Sequence, residues 1–141
     1  MQLAPLLDRI GTQMPELRQV IAAATVPLAI STLKIYPSAC VVMPRGTAGK
    51  NEAVNVIRQH VDDSFAVVLA VRNVQDMSGA AAAADMDELT PALRTALLGW
   101  TPAAGYSPIE YVGYQLIAHQ DGLMIWSEHF KSWHFVNARS R

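Results

Sequence analysis

Hydrophobic residues recur at helical spacing in the first ten positions of the chain. The residues that carry this pattern are Leu3, Leu6, Leu7 and Ile10. Residues three and four apart lie on one side of an α-helix, so the pattern predicts a short amphipathic helix that ends near Gly11. The next stretch, residues 16–35, suits either a continuing helix or a short strand, with Pro27 dividing it. Pro37 closes the stretch, because the residue before a proline avoids helical geometry.

The pattern changes from helical to strand-like in the second quarter of the chain. Ser38 to Met43 is almost wholly apolar, which is typical of a strand buried on both faces. Pro44 to Asn51 carries two glycines and two cationic side chains, which indicates an exposed loop. Ala53 to Val61 mixes apolar and polar residues, Asp62 to Ser64 suits a tight turn, and Phe65 to Arg72 returns as a strand. We therefore predict a hairpin that turns at the two aspartates.

Both faces of the returning strand are apolar. The larger side chains on one face are Phe65, Val67, Leu69 and Val71, and the smaller ones on the other are Ala66, Val68 and Ala70. Successive side chains of a strand point to opposite faces, so both faces of the sheet centre need a cover. This cover comes either from the chain itself or from a neighbouring molecule.

A helix is predicted in the alanine-rich segment that follows. Its buried stripe consists of Met86, Leu89, Leu93 and Leu97. Three acidic residues are expected near its start, where the helix dipole favours negative charge; they are Asp85, Asp87 and Glu88. Pro91 is awkward inside a helix, and one solution makes Thr90 the N-cap of a second helical segment that begins at Pro91. Gly99 suits the C-terminal end.

The last part of the chain predicts a second hairpin. Ile109 to Ala118 and Leu123 to Val136 are joined at Gln120-Asp121-Gly122, and Asp-Gly between alternating segments is a strong hairpin signal. The final strand is rich in aromatic residues: Trp126, Phe130, Trp133 and Phe135. The last two fall on the opposite face from the first two, so one pair meets solvent or another subunit.

The order of elements predicts one α+β domain that spans residues 1–141. We expect a mainly antiparallel or mixed sheet of about four to five strands, with two or three helices packed on one face.

The composition indicates that part of the surface contacts other protein molecules. Hydrophobic residues make up 51% of the chain and charged residues 16%, against about 25% charged in a typical soluble domain. The high alanine content offers a simpler explanation for part of this imbalance. The net charge of −1 provides no basic field that would hold nucleic acid.

The single cysteine and the N-terminus indicate the compartment. Cys40 lies in an apolar run and is expected to behave as a small core residue, which favours a reducing environment. The first residues lack the basic start and long apolar core of a signal peptide, and no run approaches the roughly 18 apolar residues that span a bilayer. We expect a soluble protein made in the cytoplasm, without membrane association.

No residue pattern predicts catalysis, a cofactor or a metal. The segment Gly46 to Lys50 resembles a phosphate-binding loop, but Pro44 and Asn51 stand where the first glycine and the hydroxyl residue belong. None of the four histidines forms a helical pair with spacing four, and a second cysteine is missing. His129 and His134 are five apart on a predicted strand and so point to opposite faces. No nucleophile motif is present.

Several segments together resemble the tail terminator proteins of long-tailed bacteriophages, including the short gp37-like family of Mu-like phages. The similarity lies in the N-terminal helix, Pro37-Ser38-Ala39-Cys40-Val41-Val42, the loop with Gly49, Phe65-Ala66-Val67-Val68-Leu69, Leu97-Leu98-Gly99-Trp100-Thr101-Pro102, Pro108-Ile109-Glu110-Tyr111, and the hairpin with Leu123-Met124-Ile125-Trp126 and Phe130. These are packing residues and not a chemical signature.

The resemblance implies a structural virion protein without catalysis or cofactor. Such proteins form a hexameric ring on the head-proximal end of the tail tube, stop its growth and present the surface that the head connector joins. The implied partners are further copies of the chain, the tail tube protein and the head–tail connector protein. DNA passes through the ring without specific binding, and assembly takes place in the host cytoplasm.

Exposure and strand parity suggest which residues contact partners. The predicted contact residues are Arg45, Gly46, Lys50, Asn51, Lys131, Trp133 and Phe135. A ring needs head-to-tail contacts that close, and an aromatic edge strand or strand addition between neighbours supplies them. Two other hypotheses remain open: another ring-forming tail or head–tail connector component, and a small-molecule-binding α+β dimer with a pocket between helix and sheet. An enzyme ranks third.

Overall fold

Three helices and one five-stranded sheet make up the part of the chain that the structure describes, residues 1–75 and 78–139 of a computed structural model. The helices are α1 (Leu3–Gln13), α2 (Val26–Thr32) and α3 (Ala80–Leu97), and the strands are β1 (Gln19–Ala23), β2 (Ser38–Ala48), β3 (Val56–Arg72), β4 (Glu110–Gln120) and β5 (Leu123–Arg139). The strand order is β1-β2-β3-β5-β4, with β1 parallel to β2 and every other pair antiparallel. The predicted α+β fold with a mixed sheet is confirmed.

The N-terminal third contains the predicted helix and resolves the ambiguous segment. Helix α1 buries Leu6 and Ile10 completely and continues two residues past Gly11. Both alternatives for residues 16–35 occur: the first part forms the strand β1, and the second part forms the helix α2. Pro27 is compatible with this helix because it lies in the first turn, where its missing N–H has no helical partner. The Thr25 side chain caps α2 by accepting a hydrogen bond from the Leu28 N–H at 3.3 Å.

The central strand β3 is longer than the sequence predicted. Asp62 to Ser64 does not form a turn; the three residues lie inside β3, which runs without interruption for 17 residues. The predicted loop, Pro44 to Asn51, is also wrong over its first half, because β2 continues to Ala48. The hairpin is therefore formed by β2 and β3, with its turn in residues 49–55. Continuous pairing with β5 from Val56 to Arg72 holds the aspartates in the strand.

The two faces of the sheet carry separate cores. Helices α1 and α3 pack on the face that carries the larger side chains of β3, and the cluster includes Leu6, Ile10, Phe65, Val67, Leu69, Leu93, Leu97 and Phe130. Helix α2 covers part of the other face, where its Ala29 and Leu33 meet the small side chains of β2 and β3. Two of the three helices thus pack on one face of the sheet. The other face of the sheet centre is covered by α2, which is part of the same chain.

Helix α3 is continuous through its proline. It begins after Gly79, whose φ of 92° is left-handed, so the predicted N-cap at Thr90 is wrong and Thr90 is buried within the helix. Pro91 removes one backbone hydrogen bond, but the buried side chains on either side of it hold the helix against the sheet. The acidic residues 85, 87 and 88 lie in the second and third turns, so the helix start does not explain them. Gly99, with φ 79°, follows the helix end as predicted.

The predicted hairpin between β4 and β5 is confirmed. Asp121 and Gly122 have φ values of 53° and 78°, and positive φ at both central residues defines the turn type that suits a two-residue hairpin loop. A Cβ atom on Gly122 would lie 2.4 Å from the backbone oxygen of Asn73. The Asn73 N–H also donates to the Gly122 carbonyl at 2.8 Å. The turn is therefore fastened to the segment that follows β3.

We expect Gly122→Ala to lower the free energy of unfolding by about 2 kcal/mol or more, because it combines left-handed strain with a backbone collision. Gly11→Ala is the matched control. A Cβ at Gly11 meets nothing within 4 Å, and helix propensity predicts a gain of roughly 0.5–1 kcal/mol. Denaturant unfolding of both variants measures these changes, and equal effects would contradict the assigned turn.

Candidate assembly surface

One end of the sheet extends beyond the helices as an arm, which we define as residues 44–64 and 132–139. Among the described residues, neither core cluster includes a member of this arm. The segment from Val56 to Asp62 alone extends about 20 Å at the usual rise of a strand. Apart from its base, where Asp63 and Ser132 are buried, the arm therefore presents both of its faces to the surroundings.

The arm has two open edges. On one side, β1 covers β2 only as far as Val42. On the other side, β4 covers β5 as far as Lys131, and Ser107 then binds the backbone of Trp133 at 2.8 and 2.9 Å. Successive residues of an antiparallel strand direct their backbone groups alternately to its two sides. The N–H groups of Phe135 and Asn137 therefore point to the same side as that of Trp133, which is outward from this edge. Open edges of this kind are templates for pairing with another chain.

An aromatic cluster lies on one face of the arm. The rings of Trp133 and Phe135 are 5.6 Å apart, and His60 lies 5.0 Å from the Trp133 ring and 5.5 Å from the Phe135 ring. The Arg58 guanidinium sits 3.8 Å from the centre of the Phe135 ring. Trp133 remains 38% exposed. Because Trp126 and Phe130 pack with the core on the opposite face, the predicted division of the four aromatic residues is confirmed.

The tip of the arm, which we define as residues 49–58, is organised by one side chain. Asn51 donates from its amide to the carbonyls of Ala53 and Val56 at 3.0 and 3.1 Å. Its side-chain oxygen accepts from the backbone N–H groups of Ala53 and Arg58 at 3.3 and 2.8 Å. Asn51, predicted as a contact residue, therefore has a structural role: it fixes the loop that displays its neighbours.

Six of the seven predicted contact residues lie on the arm. Arg45 and Gly46 are in β2 and not in a loop, and a Cβ on Gly46 would lie 3.3 Å from both the Asp63 carboxylate and the Val61 side chain. Lys50 is exposed beside Asn51. Lys131 lies one residue outside the arm, where its ammonium is 3.8 Å from the Glu110 carboxylate. A contact role for all seven remains a prediction.

A contact between a buried carboxylate and a histidine at the base of the arm escaped sequence analysis. Asp63 is almost fully buried, and its carboxylate lies 2.6 Å from Nδ1 of His134. The Tyr106 ring lies 4.5 Å from the His134 ring at a tilt of 34°. Burial, followed by the charge of Asp63, raises the pKa of Tyr106. The local pattern at Asp62 and Asp63 is typical of a turn. Asp63 lies on the same face of β3 as Val61 and Phe65, and this becomes apparent only when the strand continues through the aspartates. His129 and His134 do point to opposite faces.

A second ionic cluster joins α3 to β4 and β5. Glu128 is completely buried, and its carboxylate accepts from Arg94 at 2.8 and 3.1 Å and from the Tyr111 hydroxyl. Burial, with the hydrogen bond and charge of Glu128, raises the pKa of Tyr111 to about 12, although Arg94 opposes the shift. These polar groups satisfy one another, so the cluster stabilises the packing of the helix on the sheet.

The chemistry that the described residues place together is limited. Burial raises the pKa of the Cys40 thiol to about 11, so it behaves as an inert core residue. Within residues 1–75 and 78–139, no group of three or more His, Cys, Asp or Glu side chains is placed to hold a metal. Gly46 to Lys50 is followed by a strand and not by the helix that a phosphate loop requires. No helix in these residues is long and apolar enough to cross a membrane.

Comparison with known families decides what kind of protein has this arm. The family model for phage tail terminator proteins matches residues 1–140. The chain belongs to this family. The match confirms the resemblance found in the sequence, whereas membership of the gp37-like group remains a prediction. No curated protein matches the chain.

Membership of the terminator family makes the chain a structural component of a bacteriophage tail. A structural protein acts through its surfaces, so the residues that matter are those that the fold leaves uncovered. In this chain the arm combines open strand edges, an aromatic face and an ordered tip. It is therefore the candidate assembly surface.

We expect Arg94→Ala to lower the free energy of unfolding by about 3 kcal/mol or more, because it leaves the Glu128 carboxylate buried without its cation. Lys131→Ala is the matched control: it breaks a pair whose two side chains are both more than half exposed, and the expected loss is under about 1 kcal/mol. Denaturant unfolding compares the two variants. Similar losses in the free energy of unfolding would show that the buried cluster does not contribute strongly to the packing of α3.

Proposed function

We propose that the protein caps the head-proximal end of the tail tube as a homohexameric ring. The ring stops polymerisation of the tube and offers its other face to the head–tail connector. The observation that carries the proposal is the arm, because a chain of the terminator family displays there two open strand edges and an exposed aromatic face. The protein is assembled into the tail from the host cytoplasm.

The two edges of the arm are unlike each other, which favours a closed ring. One edge belongs to β2 and the other to β5, so a contact between two copies joins different surfaces head to tail. Contacts of this kind generate rings when the rotation between neighbours closes. Strand addition between neighbours would satisfy the outward backbone groups of β5 and bury its aromatic side chains.

The charge of the chain suits a lumen through which DNA passes. Specific or non-specific retention of DNA depends mainly on cationic side chains that displace counterions from phosphates. The net charge of the chain is −1, so a ring of such chains has little electrostatic attraction for the genome. The ring therefore binds its tail tube and connector partners and lets DNA pass.

The decisive experiment is electron microscopy of tails assembled without the protein and with the protein restored. We expect overlong tails without heads in its absence, and tails of uniform length with heads after restoration. Trp133→Glu is expected to fail in restoration, because it places a charge on the aromatic face of the arm. Tails of normal length without the protein would exclude the terminator role and favour another tail or connector component.

Leu98→Glu is the matched control for this variant. Leu98 is 39% exposed, almost the same fraction as Trp133, but it lies at the end of α3 and not on the arm. We expect this variant to restore tail length and head attachment as the unmodified protein does. Equal restoration by both variants would contradict a role for the aromatic face in capping.

A further inference from the structure

The outer edge of β2 in the arm carries a row of uncovered backbone groups. Gly49, which follows β2, donates its N–H to the His60 carbonyl at 2.7 Å, so its backbone groups point toward β3. Because successive residues of a strand direct these groups alternately to its two sides, the N–H and C=O groups of Gly46 and Ala48 point away from β3. The pairing of β1 with β2 ends at Val42, so no strand of the described residues covers these groups.

The outer edge of β5 carries a similar row and lacks the usual protection of an edge strand. Ser107 binds the backbone N–H and C=O of Trp133, and the next outward groups belong to Phe135 and Asn137. Natural edge strands are commonly blocked by proline, lysine or an inward-pointing charge. The segment from Trp133 to Ala138 contains no proline, lysine, arginine or carboxylate residue. This edge is therefore open to another strand.

The direction of the strands decides how the two edges can meet. Both β2 and β5 run antiparallel to β3, so they run parallel to each other. In a ring whose axis runs along the arms, rotation preserves strand direction, and β5 of one copy meets β2 of the next in a parallel pair. In such a pair, a residue bonds to the two neighbours of the residue opposite it. Phe135 then lies opposite Arg45 or Thr47, whose own backbone groups point toward β3.

The side chains of the two edges fit the same arrangement. Asp62 of β3 pairs with Thr47 on one side and with Trp133 on the other, so these three side chains lie on one face of the arm. Arg45 and Phe135 are two residues away from them along their strands and share that face. A parallel pair of β5 with β2 of a neighbour therefore keeps the aromatic face continuous from copy to copy. A symmetric pair of two β5 edges also does so, but it closes after two copies and leaves β2 uncovered.

We propose that the outer edge of β5 pairs in parallel with the outer edge of β2 in a neighbouring copy. The pairing residues are Phe135 and Asn137 on β5 and Gly46 and Ala48 on β2. The contact joins two different edges, so it repeats head to tail until a ring closes. It also brings the exposed Arg45 beside the rings of β5, and a guanidinium is attracted to an aromatic face. The inference deepens the proposed ring and rests on that function for its closure.

Engineered cysteines test which edges meet. Ala48 and Val136 are exposed and lie on the same face of the arm, away from the aromatic rings. Ala48→Cys and Val136→Cys are combined in one chain and treated with a bismaleimide shorter than about 14 Å, the distance across three strands that separates like residues of adjacent copies. We expect a ladder of linked chains that ends at a hexamer. Burial raises the pKa of the native Cys40 thiol to about 11, so this thiol does not compete.

The two single-cysteine variants are the controls, and the linking is carried out both in solution and in assembled tails. Neither single variant is expected to give linked chains. Efficient linking of Val136→Cys alone would show a symmetric pair of β5 edges and would overturn the inference. A double variant that is not linked in solution or in tails would also overturn it.

Proline substitution tests whether the contact uses the backbone. Asn137→Pro removes an outward N–H and leaves the hydrogen bonds between β5 and β3 in place, so we expect self-association to weaken about tenfold or more while the fold is kept. Asn137→Ala keeps the N–H and is the matched control, and Ala48→Pro with Ala48→Ser repeats the comparison on β2. Sedimentation velocity measures association, recovery with purified tails measures it for a chain that assembles only there, and circular dichroism checks the fold. Equal effects of each proline and its control would contradict backbone pairing.

The outcomes separate this inference from the proposed function. Tails of normal length in the absence of the protein would exclude capping, but links between positions 48 and 136 of different copies in solution would still support the pairing. Conversely, a double-cysteine chain that restores tail length without any such link overturns the pairing and leaves capping in place, because the open edges then bind another tail protein.

Discussion

The pairing of β3 with β5 is the constraint on which the rest of the structure depends. The two strands match residue for residue from Val56 to Arg72, and this single ladder runs through both the core and the arm. At one end it supports helices on both faces, through Phe65 and Leu69 on one side and Val68 on the other. At the other end the same ladder continues where no helix packs. The part of the sheet that the helices cover therefore fixes the direction and register of the arm.

The change in composition along β3 divides folding from assembly. From Phe65 to Val71 every side chain is buried, whereas from Val56 to Asp62 none is. The buried half contributes the apolar contacts that stabilise the fold. The uncovered half leaves backbone edges, rings and charges for other chains. The chain belongs to the phage tail terminator family, and we propose that these uncovered groups form its assembly contacts.

Local patterns predicted those parts of the fold that depend on neighbouring residues. The stripe from Leu6 to Ile10 and the Asp121-Gly122 turn are examples, and the opposite parity of Trp126 and Trp133 located the exposed aromatic face. Polar residues inside β3 were misinterpreted, because Asp62-Asp63-Ser64 has turn chemistry and only long-range pairing with β5 overrides it. Pro91 misled in the same way, since tertiary packing keeps α3 continuous. The cluster of Arg94, Tyr111 and Glu128 joins residues from distant segments, which no local pattern reveals.

Hydrogen exchange at the outer edge of β5 tests most directly whether the arm is an assembly surface. In the isolated protein, the outward N–H groups of Phe135 and Asn137 should exchange rapidly, while those of His134 and Val136, which face β3, should be protected. In tails assembled with the protein, the outward groups should become protected as well. Rapid exchange of Phe135 and Asn137 in assembled tails would contradict the account.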